Sequence, residues 1–197
     1  MADTKGDLRA AASARRRALS PDQRRAVADA LCEQALGLPW ADTVALYVSF
    51  GSEPGTGPLL AALRERGTRV LLPVVLPDRS LDWAVDDGSA VPGVRGIPEP
   101  IGARLGPAGI ATADLVLLPG LAADRAGNRL GRGGGSYDRA LPLRRPQVPA
   151  IVLLHPWEVV AALPTDPHDV PVDAALTADG LVPLGAEWTN GPPVREN

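Results

Sequence analysis

Residues 43–75 restrict the fold more tightly than any other stretch. Thr43 to Phe50, TVALYVSF, is β-branched and aromatic with no interior breaker, which predicts a strand. Gly51-Ser52-Glu53-Pro54-Gly55 ends it, Gly57 to Arg66 reads as helix, and Thr68 to Val75 predicts a second strand limited by Pro73. Two strands joined through a helix run parallel, with a right-handed crossover. The expected fold class is therefore α/β: a mostly parallel sheet flanked by helices. Ligands in such sheets sit beyond the carboxyl ends of the strands. Glu53 directly follows the first strand, so it is either a ligand-facing acid or an ordinary solvated loop residue.

The rest of the chain supports one domain spanning residues 1–197, with a disordered tail expected after Trp188. Residues 3 to 18 predict a helix capped by Asp3 or Thr4 and ended by Pro21. Lys5 and Arg9 lie four apart on it, on one face. Spacing alone favours a solvated basic face there, with an anion clamp as the alternative. Ser20-Pro21-Asp22-Gln23 forms a capping box for a second helix, stopped by Pro39, in which Cys32 packs as a small apolar residue. A single cysteine leaves no disulfide scaffold or cysteine-rich metal site. Leu81 to Val85 predicts a short strand, residues 86–111 a long loop, and Ala113 to Leu118 and Pro149 to Leu154 two further strands. Pro156 to Leu163 predicts a short helix, and Leu163 to Thr177 a polar loop closing on a strand.

The net charge of −3 argues against a general nucleic-acid binder. The arginines at positions 15, 16, 17, 24 and 25 are expected to form a solvated helical face. No apolar run reaches membrane-spanning length and the first residues are polar and charged, so a cytoplasmic location is expected, with no membrane partner and a monomeric state.

The chemistry concentrates between Leu117 and Leu141. An apolar run ends at Pro119-Gly120, and a glycine- and arginine-rich loop then leads into a helical pattern at Tyr137-Asp138-Arg139. Glycines bring backbone N–H groups close to an anion, and Arg129 and Arg132 add fixed forked donors, so the stretch reads as a phosphate cradle. It is not a Walker A loop, since it has no lysine, and Ser136 stands where a dinucleotide fingerprint needs its third glycine. Asp138 reads equally as a Mg²⁺ ligand or as a first-turn acid serving the helix dipole. Asp166, His168, Asp169 and Asp173 read as turn residues. No Ser-His-Asp or Cys-His arrangement is legible, which points to positioning and charge neutralisation rather than a protein nucleophile.

Five ordered motifs carry a family resemblance. They are Lys5-x-x-Leu8-Arg9; Tyr47-Val48-Ser49-Phe50 with Glu53; and Gly96-Ile97-Pro98-Glu99-Pro100. The fourth is Leu118-Pro119-Gly120-Leu121 with Asp124, Gly127 and the run Arg129 to Arg139, and the last is Leu163-Pro164 with His168 to Asp173, ending at Thr177. Together they resemble the 5-formyltetrahydrofolate cyclo-ligase (5,10-methenyltetrahydrofolate synthetase) family over nearly the whole chain. The resemblance implies a sandwich similar to sugar-phosphate isomerases and CoA transferases. It implies ATP- and Mg²⁺-dependent cyclisation of 5-formyltetrahydrofolate through phosphorylation of the formyl oxygen. Lys5 and Arg9 would then contact ATP phosphates, against the reading from spacing. Arg129, Leu130, Gly131, Arg132, Gly133, Gly134, Gly135, Ser136 and Tyr137 would cradle ATP, with Arg129 and Arg132 catalytic. Val48, Glu53 and residues Arg132 to Ser136 would contact the folate, and Asp138 and Asp173 would hold Mg²⁺. Two positions depart from the family pattern: Ser136 replaces an aromatic residue, and Gly134 replaces a lysine. The alternatives are a non-catalytic nucleotide-, folate- or RNA-binding member of the same fold, and a sugar-phosphate enzyme with no use for Lys5 and Arg9.

Overall fold

The computed structural model describes residues 4–38, 42–93 and 98–185 of the 197-residue chain. A seven-stranded sheet runs through it. Its parallel centre comprises β1 (Thr43–Ala45), β2 (Arg69–Val75), β6 (Leu115–Pro119), β9 (Ala150–Leu153) and β11 (Ala174–Thr177). Antiparallel strands β3 (Leu81–Val85) and β12 (Gly180–Pro183) close the edges, in the order β12-β11-β9-β6-β1-β2-β3. The predicted α/β class and mostly parallel sheet are thus observed.

Helices α2 (Pro21–Leu36) and α3 (Gly57–Glu65) cover one face, packing Leu31, Ala35, Leu59 and Leu63 onto Val44, Leu46, Leu117 and Ile151. Cys32 belongs to this core. Trp83, Ile110, Leu141 and Val148 form the core of the opposite face with Val116, Leu118 and Val152. Strand residues alternate between the two cores, as the two-residue period of a pleated strand requires.

The capping box expected at Ser20 is present, and the first helix is capped by Thr4 in a second box, while Asp3 lies outside the described residues. Thr4 caps α1 (Lys5–Arg17) with Asp7 in return, and Ser20 caps α2 with Gln23. Helix α2 ends at Gly37, and Pro39 lies outside the described residues.

Several expectations need correction. The strand expected to reach Phe50 ends at Ala45, with one further ladder bond from Leu46 N to Leu71 O. Thr56 then takes the chain over: its hydroxyl donates to Tyr47 O at 2.8 Å and accepts from Ser49 N at 2.9 Å. Pro156 to Leu163 is not a helix. A 3₁₀ turn, Pro156–Glu158, leads into the two-residue β10 (Val159–Val160), because β-branched valines pair with β7 (Ala122–Asp124). Residues 86–111 are not one open loop. They contain the antiparallel pair β4 (Ala90–Pro92) and β5 (Pro98–Pro100), a bridge from Ala84 to Arg104, and a 3₁₀ turn at Pro107–Thr112. Gly96 and Ile97 of the Gly-Ile-Pro-Glu-Pro motif, and everything after Gly185, lie outside the described residues.

The most consequential correction lies after β6. The chain does not run straight into the glycine-rich loop. It first folds back as the hairpin β7 and β8 (Arg129–Leu130), whose turn is held by buried Asp124 accepting from Ala126 N, Asn128 N and Asn128 Nδ2. Helix α1 packs Leu8 and Ala12 on this small sheet. Among the described residues no helix is long and apolar enough to cross a membrane.

Candidate active site

The carboxyl ends of β1, β6 and β9 lie side by side, since β6 pairs with both others. The loop after β1 delivers Glu53, and the β7–β8 hairpin returns the chain to the same edge as residues 131–135. Gly133 and Gly135 adopt φ of 93° and 66°, which L-residues with a Cβ reach only under strain. This lets the loop reverse into α4 (Ser136–Ala140), whose single turn carries Tyr137 and Asp138.

Glu53 and Arg132 meet here. Arg132 Nε donates to Glu53 Oε1 at 3.0 Å, and the guanidinium stacks 4.6 Å from the Phe50 ring centroid. Phe50 N donates to the other Glu53 oxygen at 3.0 Å. The Glu53 side chain is 5% exposed while that of Arg132 is 47% exposed, so the arginine lies over the acid as its outer cover. Burial pushes the Glu53 carboxyl above its ordinary value, against the pull of the Phe50 N–H and Arg132. Val48 packs at the edge of the helix-covered core.

Arg129 is buried. Its Nη2 donates to Asp138 Oδ1 at 2.9 Å, and its guanidinium lies 5.9 Å from the Tyr137 ring centroid. Tyr137 is itself held against the core. Burial, followed by the nearby Glu53 charge, pushes its phenol above the ordinary tyrosine range. Tyr47 behaves alike, for the same two reasons in the same order. Both phenols stay protonated at neutral pH.

The structure brings Arg9 to this loop from the other end of the chain, and carries Lys5 to the segment at Asp166 and Asp169. Arg9 Nε donates to Gly131 O at 2.9 Å, across 122 residues of sequence. Lys5 Nζ lies between Asp166, at 2.6 Å, and Asp169. Although partial burial opposes it, hydrogen bonding to the two acids raises the Lys5 pKa. The solvated-face reading of this pair is therefore corrected: Arg9 is engaged at the glycine loop and Lys5 by Asp166 and Asp169. Arg16 is corrected in the same way, since it is fully buried and bound to Glu158.

Asp138 and Asp173 are not brought together. Asp138 accepts from Arg129 and from Val170 N, at 3.4 Å, beside the loop. Asp173 precedes β11, and its carboxylate accepts from Ala150 N, the first residue of β9, at 2.7 Å and faces Arg144 at 3.5 Å. Those are the amino ends of the strands, opposite to the loop. The acid that precedes Val170, the residue whose N–H donates to Asp138, is Asp169. Among the described residues, Asp166, His168 and Asp169 form a group with ligand atoms within 4.8 Å of one another. In the sequence pattern these three are turn residues. Their distance in sequence from the glycine loop hid the association.

Sequence reading also missed Arg16, Glu158 and Thr56. Arg16 had a usable signal: it lies seven residues after Arg9, on the same helical face. Nearby His155 has its pKa lowered to about 4 by burial, with Arg16 and Arg15 adding to the effect, so its ring is neutral at physiological pH.

Known proteins of one family share the sequence and fold of this chain. The sequence model of the 5-formyltetrahydrofolate cyclo-ligase family matches residues 1–178. A 5-formyltetrahydrofolate cyclo-ligase of Mycolicibacterium smegmatis is 39% identical over 189 residues, covering 92% of this chain and 97% of that protein. That of Escherichia coli is 31% identical over 172 residues, covering 83% and 94%. The solution structure of Aquifex aeolicus 5,10-methenyltetrahydrofolate synthetase superposes with a TM-score of 0.79 at 27% identity, covering 98% of this chain and 96% of that one. A glycine loop gripped by an N-terminal basic helix, on a parallel α/β sheet and matched over its length by these enzymes, places the chain in the 5-formyltetrahydrofolate cyclo-ligase family.

Proposed function

We propose that this chain converts 5-formyltetrahydrofolate and ATP into 5,10-methenyltetrahydrofolate, ADP and phosphate, with Mg²⁺ on the nucleotide phosphates. The observation that carries this reading is the Arg9–Gly131 contact. It brings Arg9 of α1 to a glycine loop that already holds Arg129 and Arg132, while Lys5, one turn earlier on α1, is held by Asp166 and Asp169. A site for a single sugar phosphate has no need of four cations from two distant segments, whereas a nucleoside triphosphate does.

The formyl oxygen attacks the γ-phosphorus and ADP leaves. The N10 amine then attacks the activated formyl carbon, the C–O bond breaks with loss of phosphate, and the N10 proton is released. An amide-like oxygen is a poor leaving group, and phosphorylation makes it a good one. The protein's task is to align three groups and neutralise charge. Lys5 and Arg9 hold the outer phosphates, and Arg132 and the N–H groups of residues 131–136 face the transferred phosphoryl group. Arg129 orients Asp138 through their 2.9 Å bond. Glu53, buried beneath Arg132, accepts from the N–H groups of the pterin ring, and Val48 contacts the ring. Arg132 must leave Glu53 for this to happen, and its exposed side chain is free to swing toward phosphate.

The residues fit a magnesium ion. Mg²⁺ takes oxygen ligands, usually one or two carboxylates with phosphates and water. Both hydrogen bonds to Asp138 fall on Oδ1. Asp138 and Asp169 would supply the carboxylates, in place of the Asp138 and Asp173 pair expected from sequence. When bound, the ion supplies charge neutralisation on the phosphates.

The test is one assay with purified protein. ADP release should require both Mg²⁺ and 5-formyltetrahydrofolate, and should match the near-ultraviolet absorbance of the methenyl product. Folded protein giving neither signal would overturn the assignment. Folate binding without turnover would favour the non-catalytic alternative.

A further inference from the structure

Helix α1 has little apolar surface with which to dock. Leu8 and Ala12 alone join the small cluster of Leu121, Ala122 and Leu130. Its carboxyl-terminal half is held instead by a buried charge. Arg16 Nε and Nη2 bind the two oxygens of Glu158 at 2.6 and 2.7 Å, and Nη2 also donates to Gly120 O at 2.7 Å. Glu158 accepts a further bond from His155 N at 2.9 Å. The two side chains are 0% and 2% exposed. Gly120 follows β6 and Glu158 follows β9, so one guanidinium joins the helix to the ends of two neighbouring strands. Arg15 adds a second hold, stacking 4.4 Å from the Trp157 ring centroid.

A buried ion pair is a poor way to add stability, because desolvating both charges offsets most of their attraction. Apolar residues of similar volume would hold the helix as well. What a forked pair adds is direction. We propose that the Arg16–Glu158 pair is a positioning device that sets the angle of α1, so that Lys5 and Arg9 meet the nucleotide phosphates. This rests on the reading of those two residues as phosphate ligands. Arg16 and Glu158 touch neither substrate and act through the helix.

The lever is long. Arg9 and Lys5 lie seven and eleven residues from Arg16, roughly 10 and 16 Å along the axis. A tilt of about 10° at Arg16 would displace them by roughly 2 and 3 Å. Displacements of this size cost on the order of 10²-fold where positioning matters.

The test is the double variant Arg16→Met/Glu158→Leu, which replaces the pair with apolar volume and avoids stranding one buried charge. Expected are a Tm close to wild type, a KM for ATP raised roughly tenfold or more, and a KM for 5-formyltetrahydrofolate that stays near wild type. A wild-type KM for ATP in the folded double variant overturns the proposal, as does an equal rise in both constants. Lys5→Ala separates the phosphate role of α1 from the positioning role of the pair. If it leaves the KM for ATP unchanged, the phosphate role of α1 fails and the pin's function with it. If it raises that KM while the double variant does not, the pin alone fails. Should the double variant not fold, Arg16→Lys keeps the charge without the fork. A raised KM for ATP then supports the proposal, and an unchanged one overturns it.

Discussion

Gly134 offers a gain-of-function test of the phosphate reading, because the fold leaves room for a charge there. Its neighbours Gly133 and Gly135 have positive φ, but Gly134 does not, so its backbone accepts any L-residue. A Cβ built on it meets only Ser136 Oγ, at an unstrained 3.5 Å. Gly134→Lys therefore adds an ammonium to the loop without forcing the backbone. The site is partly open to solvent, so the gain should lie near the aqueous limit. At about 4 Å from a phosphate oxygen that is roughly 1 kcal/mol, or about fivefold in affinity. The expected result is a KM for ATP lowered about fivefold, with the KM for 5-formyltetrahydrofolate nearly unchanged. The effect should shrink as salt rises, since the charge is exposed. Gly133→Ala is the control in the opposite direction. Its φ of 93° makes a Cβ cost about 1–2 kcal/mol, and that Cβ would lie 3.5 Å from the Arg9 guanidinium carbon. Steady-state kinetics at two ionic strengths checks both. An unchanged KM for ATP in folded Gly134→Lys would refute the placement of phosphate at this loop.

Three further outcomes follow from the same geometry. Thr56→Ala removes a fully buried hydroxyl and strands Tyr47 O and Ser49 N. It should cost about 1–3 kcal/mol in urea denaturation and raise the KM for 5-formyltetrahydrofolate, because Glu53 sits in the loop that Thr56 closes. Asp138→Asn should raise the Mg²⁺ concentration needed for half-maximal rate, and an unchanged Mg²⁺ titration would remove Asp138 from the metal site. Lowering the pH should act on Glu53 in two opposite ways. Its folded pKa is raised, so the folded state binds the proton more tightly than the unfolded chain does. Stability from this residue therefore grows as pH falls through the raised folded value toward the unfolded one. Folate affinity needs the carboxylate, so the KM for 5-formyltetrahydrofolate should rise over the same window. Glu53→Gln should flatten that part of the KM profile, and a profile unchanged by the substitution would refute the pterin role.

The sheet was legible because its signals are local. Val44, Leu71, Val116 and Ile151 sit in short apolar runs, and such runs predict buried parallel strands without tertiary knowledge. The capping boxes at Thr4 and Ser20 set helix starts through contacts within four residues. The hairpin β7–β8 was not legible, because two- and three-residue strands carry no period and this one depends on Asp124 gathering three donors. The burial of Arg16 was hidden for a related reason. Composition places arginine outside, and only a partner 142 residues away reverses that. Lys5 and Arg9 show the same limit: helical spacing showed that they share a face, while what the face meets was decided by the packing of α1 on the small sheet.

Asp173 is different, because the sequence held the means to place it. A strand ending at Thr177 was expected, and four residues of strand span about 13 Å. An acid directly before such a strand lies at its amino end. In a parallel sheet every amino end faces away from the ligand edge. The carboxylate accordingly binds Ala150 N, at the start of the neighbouring strand. Asp169 lies four residues earlier, in the loop that crosses back toward the carboxyl edge, where its carboxylate meets Lys5 and the next residue, Val170, donates to Asp138. Strand polarity therefore separates these two acids of one short motif. Asp169→Asn should consequently alter the Mg²⁺ titration, whereas Asp173→Asn should mainly lower stability by weakening the join between β9 and β11. Calorimetry and the Mg²⁺ titration, run on both variants, separate the two effects, and the reverse pattern would restore Asp173 to the metal site.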